Sequence, residues 1–237
     1  MILKDQRVYV DGVELTSHVN SVAIDQGVEV QDKTPFGSNS RIKTPGLQTV
    51  ALGLQGFYDA VAADKPLTDG FAKADVPVVV TSDTPAHGGL AHFFNAVQAA
   101  YSTSGATGEV FETSLSAEGN GALARGQIAF FDEALTASDA GAALNLGTVG
   151  AGQRLFACVQ LFGNDDPADS VQVTINGDSA DDFTGSETTH ITFTDTGALS
   201  GQLLTADGPI TDTWFRAAVD LTGASPSVKV LVTLAIV

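Results

Sequence analysis

Cysteine, tryptophan and methionine occur once each in the 237 residues, and bases number only 11 against 28 acids. A single cysteine, Cys158, excludes a disulfide framework and a cysteine-cluster zinc site. It sits in the apolar run Leu155-Phe156-Ala157-Cys158-Val159, which marks a small buried hydrophobe rather than a reactive thiol. The shortage of Lys and Arg argues against a protein that grips nucleic acid, because phosphate binding works by displacing counterions with positive charge. The formal net charge is −17. The deficit is shared: residues 1–142 hold 17 acids and 8 bases, residues 143–237 hold 11 and 3. No apolar run approaches the ~18 residues of a membrane span. Lys4, Asp5 and Arg7 come with no apolar leader run, so no secretory signal and no membrane association are expected, and folding is expected in a cytoplasm.

Long helical patterns are also scarce. Short β-like runs separated by Gly, Asp, Asn and Pro recur along the chain, the pattern of a mainly β protein. Strands are predicted near 7–10, 20–25, 28–34, 47–57, 76–81, 109–117, 123–132, 154–162, 170–176, 188–194, 212–221 and 227–236. One segment departs from this. Leu90, Phe93, Phe94, Val97 and Tyr101 fall at helical spacing, which predicts a helix over 86–101 that packs an aromatic stripe on a sheet. A weaker helical turn is predicted around 58–63. The small-residue segment 135–147 suggests a boundary near 140, between a β domain over 1–140 and an outward-facing β-sandwich over 141–237. Val228, Val230, Val232, Leu234 and Ile236 share one face of a final strand whose other face is also apolar, as in a central strand.

Catalytic patterns do not rise above background. Gly119, Gly121 and Ala124 form a loose dinucleotide-binding pattern, but the residues that follow read as a strand, and Asn120-Gly121 reads as a hairpin turn. His18, His87, His92 and His190 lack the spacing of a zinc pair on a helix. Asp165, Asp166 and Asp169, and Asp178, Asp181 and Asp182, lie in turn-like loops without the EF-hand spacing. They read as solvated loops, with a weak calcium or magnesium site as the alternative. No Gly-x-Ser-x-Gly elbow is present, and one Trp with three Tyr is a poor endowment for a sugar-cleaving cleft. No enzyme activity, metal or cofactor is expected. A metal-dependent hydrolase is the remote alternative.

The informative stretch is residues 8–59. A strand from Val8 ends at Asp11-Gly12, and Thr16-Ser17-His18 leads to a second strand through Ile24. Gly27 to Gly37 follows, then a basic patch to Lys43. The stretch closes with Pro45-Gly-Leu-Gln-Thr-Val-Ala-Leu-Gly-Leu-Gln-Gly-Phe-Tyr-Asp59. This resembles the opening of the major tail tube proteins of long, non-contractile tailed bacteriophages. Segments 150–157 (Gly-Ala-Gly-Gln-Arg-Leu-Phe-Ala) and 208–216 (Gly-Pro-Ile-Thr-Asp-Thr-Trp-Phe-Arg) resemble the C-terminal β part of such proteins.

The resemblance implies a β-sandwich with one flanking helix whose strands close a barrel around a lumen. It implies hexameric rings stacked head to tail in the virion, through which DNA passes without specific binding. It also implies tail terminator, tail tip and tape measure proteins as partners. The composition agrees, since an acidic conduit repels phosphate. Thr49 and Gln55 on one strand, and Glu112, Ser114, Ser116 and Glu118 on another, are the candidates to face the lumen. Their strand neighbours Phe111, Thr113, Leu115 and Ala117 are expected to pack on Phe93, Phe94 and Val97 of the helix. Lys33, Phe36, Arg41 and Lys43 are the candidates for contacts between subunits or rings. Segment 28–46, interrupted by Pro35 and Pro45, is expected to be ordered only in the assembly. The competing reading is a virion decoration or a host- or carbohydrate-binding β-sandwich, with 143–237 as the binding part.

Overall fold

A computed structural model describes residues 6–71, 73–166, 170–185, 187–223 and 226–237. The molecule is built almost wholly from antiparallel strands in two sheets. The larger has eleven strands: β1 (Val8–Val10), β2 (Val13–Glu14), β3 (Val19–Asp32), β4 (Lys43–Phe57), β5 (Val76–Thr81), β6 (Leu90–Ser104), β7 (Glu112–Gly119), β8 (Ala124–Leu135), β11 (Arg154–Asn164), β14 (Ser200–Asp207) and β16 (Val228–Ile236). The smaller has five: β9 (Asp139–Ala140), β10 (Leu144–Asn145), β12 (Ser170–Asp178), β13 (Thr188–Thr192) and β15 (Trp214–Thr222). A π-helical turn over Ala60–Asp64 continues into a single α-helical turn, α1, at Lys65–Asp69.

That helical segment overlaps the weak turn expected at 58–63 and runs on to Asp69. The expected helix over 86–101 does not exist: its residues are mostly β6. The physical reason lies in Phe93 and Phe94. Both are fully buried, yet they belong to different cores. Phe93 packs with Tyr9, Val79, Cys158 and Leu231. Phe94 packs with Val8, Val10, Leu52 and Val78. Adjacent residues on a strand point to opposite faces, so a strand buried on both faces carries large apolar residues at i and i+1, and helical spacing arises by coincidence. The expected packing of β7 on a helix stripe fails with the helix. β7 instead pairs edge to edge with β6, Leu115 opposite Tyr101 and Glu118 opposite Val97.

β6 is the pivot of the large sheet. Its first half lies between β5 and β8; its second half, from Ala96, pairs with β7. β7 and β8 therefore follow one another along the same edge of β6. Asn120-Gly121 is the bend between them and does not close a two-residue hairpin. A true two-residue turn joins β1 to β2 at Asp11-Gly12, where both φ angles are positive, 47° and 79°, as a type I′ turn requires. A Cβ on Gly12 would meet the Ser200 backbone nitrogen at 2.3 Å.

The large sheet continues across position 140. β16 lies between β8 and β11, and its apolar row Val228, Val230, Val232 and Leu234 enters the core shared with the small sheet. Leu231 and Ala235, on its other face, join Tyr9, Ala91 and Phe93. The buried Gln160 of β11 accepts from the Gly12 N–H at 2.7 Å and donates to the Pro77 carbonyl at 3.0 Å. Strands from both sides of position 140 thus share one sheet and one core.

Candidate functional site

Four strands, β3, β4, β7 and the second half of β6, stand side by side in that order. One face packs inward through Val50, Leu52, Leu54, Leu115 and Ala117. The other faces solvent, and pairing aligns it in rows. Ser21, Gln55, Ser114 and Ser102 form one row; Ala23, Gly53, Ser116 and Ala100 form the next; Asp25, Ala51, Glu118 and Val97 form a third. The Ser102 and Ser114 hydroxyls are 2.8 Å apart. The first two rows line an open depression of about 290 Å³.

Thr49, Gln55, Glu112, Ser114, Ser116 and Glu118 all lie on this outer face, each exposed except the half-buried Ser114. The face also takes in Ser21, Ala23 and Asp25 from β3, and Ala100, Ser102 and Ser104 from β6, which the sequence reading did not assign to it. The alternation of Ala100, Ser102 and Ser104 with Tyr101 and Thr103 was the available signal, and the helical reading of 86–101 hid it. Among the described residues no ion pair is formed by the three carboxylates of this face, Asp25, Glu112 and Glu118.

Both outer edges of this four-stranded unit are open. Among the described residues β3 pairs only with β4, and residues 97–104 of β6 pair only with β7. Small residues, Ala23, Ala51, Gly53 and Ala100, alternate across the exposed face with Ser and carboxylate side chains.

Beyond the body, β3 and β4 run on as a two-stranded arm. Every β3 residue from Asp25 to Asp32 is exposed. Lys33, Phe36, Arg41 and Lys43 cluster at its tip, also exposed. Pro45 does not interrupt the ladder: it sits opposite Val30, next to a bulge, where a missing N–H is tolerated. Pro35 does lie outside the strands, in the tip turn.

The histidines and acid clusters serve local structure. His190 Nε2 lies 2.7 Å from Asp212 Oδ2, and His87 Nε2 lies 3.0 Å from the Ala142 carbonyl. His92 is held below the ordinary imidazole range by burial and by the neighbouring Arg125. Asp178 and Asp182 accept the N–H groups of Ala180 and Thr184 in their own turns. Asp169 lies outside the described residues. Among the described residues no three His, Cys, Asp or Glu side chains gather as a metal site, and no helix is long and apolar enough to cross a membrane.

No family model matches the chain, and no curated protein matches it. Several solved structures resemble it in fold. A chain in the virion of a native gene transfer agent particle is 18% identical with a TM-score of 0.44, covering 53% of this chain and 98% of that one. The SPP1 Dit protein, described as a paradigm of the hub of the adsorption apparatus in phages infecting Gram-positive hosts, is 10% identical with a TM-score of 0.40 over 99% of this chain and 100% of that one. A chain of the phage p2 baseplate in its activated conformation is 10% identical with a TM-score of 0.35, covering 95% and 98%. A functional reading has to stand on the surface described above.

Proposed function

We propose that the chain is the repeating subunit of a phage tail tube, the major tail protein of a long non-contractile tail, assembled in the virion as stacked hexameric rings. The observation that carries this reading is the four-stranded unit with two open edges and one polar, acidic face whose carboxylates form no ion pair among the described residues. Its strands alternate in direction from β3 to β6, so β6 of one copy meets β3 of the next in antiparallel register. Repeating that step closes a barrel and leaves no edge for aggregation.

In such a barrel the outer face of the single chain becomes the inner wall. Thr49, Gln55, Ser114 and Ser116 wet it, while Glu112, Glu118 and Asp25 give it one sign of charge. Three carboxylates per subunit make eighteen per ring of six. Passing phosphates are repelled by such a wall, and no counterion release favours their capture. DNA passes without specific binding. Lys33, Phe36, Arg41 and Lys43 on the arm serve contacts between rings, and the terminator, tip and tape measure proteins cap and fill the tube.

Electron microscopy of concentrated protein tests this. Six-fold rings or tubes with a central channel are expected. A strict monomer at high concentration by sedimentation, with no tubes or rings on the grid, would overturn the reading.

A further inference from the structure

The arm carries an apolar stripe that runs off the end of its own core. Val22 and Ile24 pack against the buried cluster. Val28 and Val30, farther along the same face of β3, are exposed, Val30 at 61%. Ile42 and Phe36 near the tip and Leu47 on β4, 78% exposed, are likewise uncovered. Solvent does not stabilise such a stripe. Such a stripe suits burial against a partner, and charge bears on which partner. Residues 33–43 hold three bases and no acid; the other 226 residues hold 28 acids and 8 bases, net −20. The tip is the most positive segment of a strongly negative molecule, so a second copy of this chain is a well-matched partner.

A matching surface lies at the opposite end of β4. There Phe57 and Tyr58 meet Phe111, the Tyr58 and Phe111 rings 4.7 Å apart and the Tyr58 N–H donating to the Phe111 carbonyl at 3.0 Å. Val61 at 79% and Val110 at 62% stand exposed beside them. Residues 57–64 and 109–112 hold four acids and no base.

Building on the tube reading, we propose that this patch, centred on Tyr58, Val61, Val110 and Phe111, is the socket for the arm of the next copy along the tube. Tip and socket sit at the two ends of one strand, roughly 45 Å apart at ~3.3 Å per residue. Complementary patches at opposite ends of a subunit form a heterologous contact that does not close, and so propagates along an axis. Val28, Val30 and Phe36 then cover Val61 and Val110, and Lys33 and Arg41 face Glu109.

A photo-crosslinking phenylalanine analogue at position 36 tests the pairing in assembled tubes. Intermolecular crosslinks mapping to 57–61 or 109–112 are expected. Tubes that form normally but crosslink elsewhere would overturn the socket and leave the tube reading intact; wild-type protein that never self-associates would overturn the tube reading itself. Charge exchange gives an independent arm. Lys33→Glu with Arg41→Glu, and separately Glu109→Lys, should each raise the concentration needed for tube growth about tenfold, and their combination should restore it. All three positions are exposed, so unchanged thermal melts will confirm folding. Weakening by each without restoration by the combination would also overturn the socket.

Discussion

Asp25 of β3 and Glu118 of β7 lie in the same cross-strand row, each directly opposite Ala51 of β4. Two strand spacings separate them by roughly 9–10 Å, about one Debye length at 0.1 M salt. No base lies in the row, and the small Ala51 side chain leaves both carboxylates free to project from the wall. Their repulsion is therefore weak in the single subunit and becomes cumulative only when the wall is repeated.

This arrangement sets the outcome of charge reversal. Glu112→Lys with Glu118→Lys should leave folding within about 0.5 kcal/mol of the parent, because both side chains are exposed and away from the core. Assembled tubes should change more. Wild-type tubes should not retain DNA fragments in a filter-binding assay, whereas the double variant should, with retention falling steeply as salt rises. Equal retention by both would place these carboxylates away from the channel.

The arm makes a second prediction. Its two strands keep a hydrogen-bonded ladder but lack a packed face from the Gly27–Thr49 pair outward. Such a ribbon opens locally at little cost. Amides of 25–32 and 43–49 should exchange quickly in the free subunit and slowly in tubes. Equal protection in both states would show that the arm makes no contact in the assembly.

How far the sequence disclosed this structure depended on how many faces a strand buries. Strands with one wet face were legible. In β4 and β7 alternation separated Leu52 and Leu54 from Ala51 and Gln55, and Leu115 and Ala117 from Ser116 and Glu118. β16 was legible because one row, Val228 to Ile236, is wholly apolar and the other carries Leu231 and Ala235 beside Lys229 and Thr233. β6 was not, because half of it is buried on two faces and half on one; the change of pattern at Val97 mimicked a helical stripe. β14 escaped notice because it is an edge strand of half-exposed residues, Gly201 to Leu203, with no alternation to read. The outer wall was legible only in part, since its β6 quarter was lost with that strand. The socket at Tyr58 and Phe111 had no signal in the sequence, because it exists only where two distant turns meet.

Burial predicts how the molecule responds to alkali. The Cys158 thiol is fully buried, which pushes it up to about 12. Burial also raises Tyr9 and, with Asp64 as its hydrogen-bond acceptor, Tyr101. In the unfolded chain these groups lose protons at their ordinary values; in the folded chain they hold them. The unfolded state therefore binds fewer protons above about pH 9, and stability falls as pH rises through that range. Thermal melts should be insensitive to this group of residues at pH 7–8 and should drop above pH 9. Cys158→Ala should reduce the alkaline drop. A disulfide reagent at pH 8 should leave the native thiol unlabelled and label it fully in denaturant; rapid native labelling would contradict the burial.

The last prediction concerns the junction between the two halves of the chain. Cutting after residue 140 removes β16 and β11. β8 then loses the partner that pairs with it from Gln127 to Leu135. The core around Tyr9, Val79 and Phe93 loses Cys158, Leu231 and Ala235, and the Pro77 carbonyl and Gly12 N–H lose Gln160. Large-to-small changes at single buried positions cost ~2–5 kcal/mol, and whole domains are stable by only ~5–15 kcal/mol. Several such losses together exceed what the fragment retains, and an uncovered β8 edge beside exposed aromatics favours aggregation. Residues 1–140 alone should accumulate as insoluble protein, although every strand of the four-stranded wall is present. The milder variant Leu231→Ala, in the full chain, should remain soluble and lower the unfolding free energy by ~2–5 kcal/mol in urea. A fragment 1–140 that is soluble, melts cooperatively and forms rings would show that the wall and its helical turn fold without the second half, and that the core across position 140 is a docking contact between two independent domains.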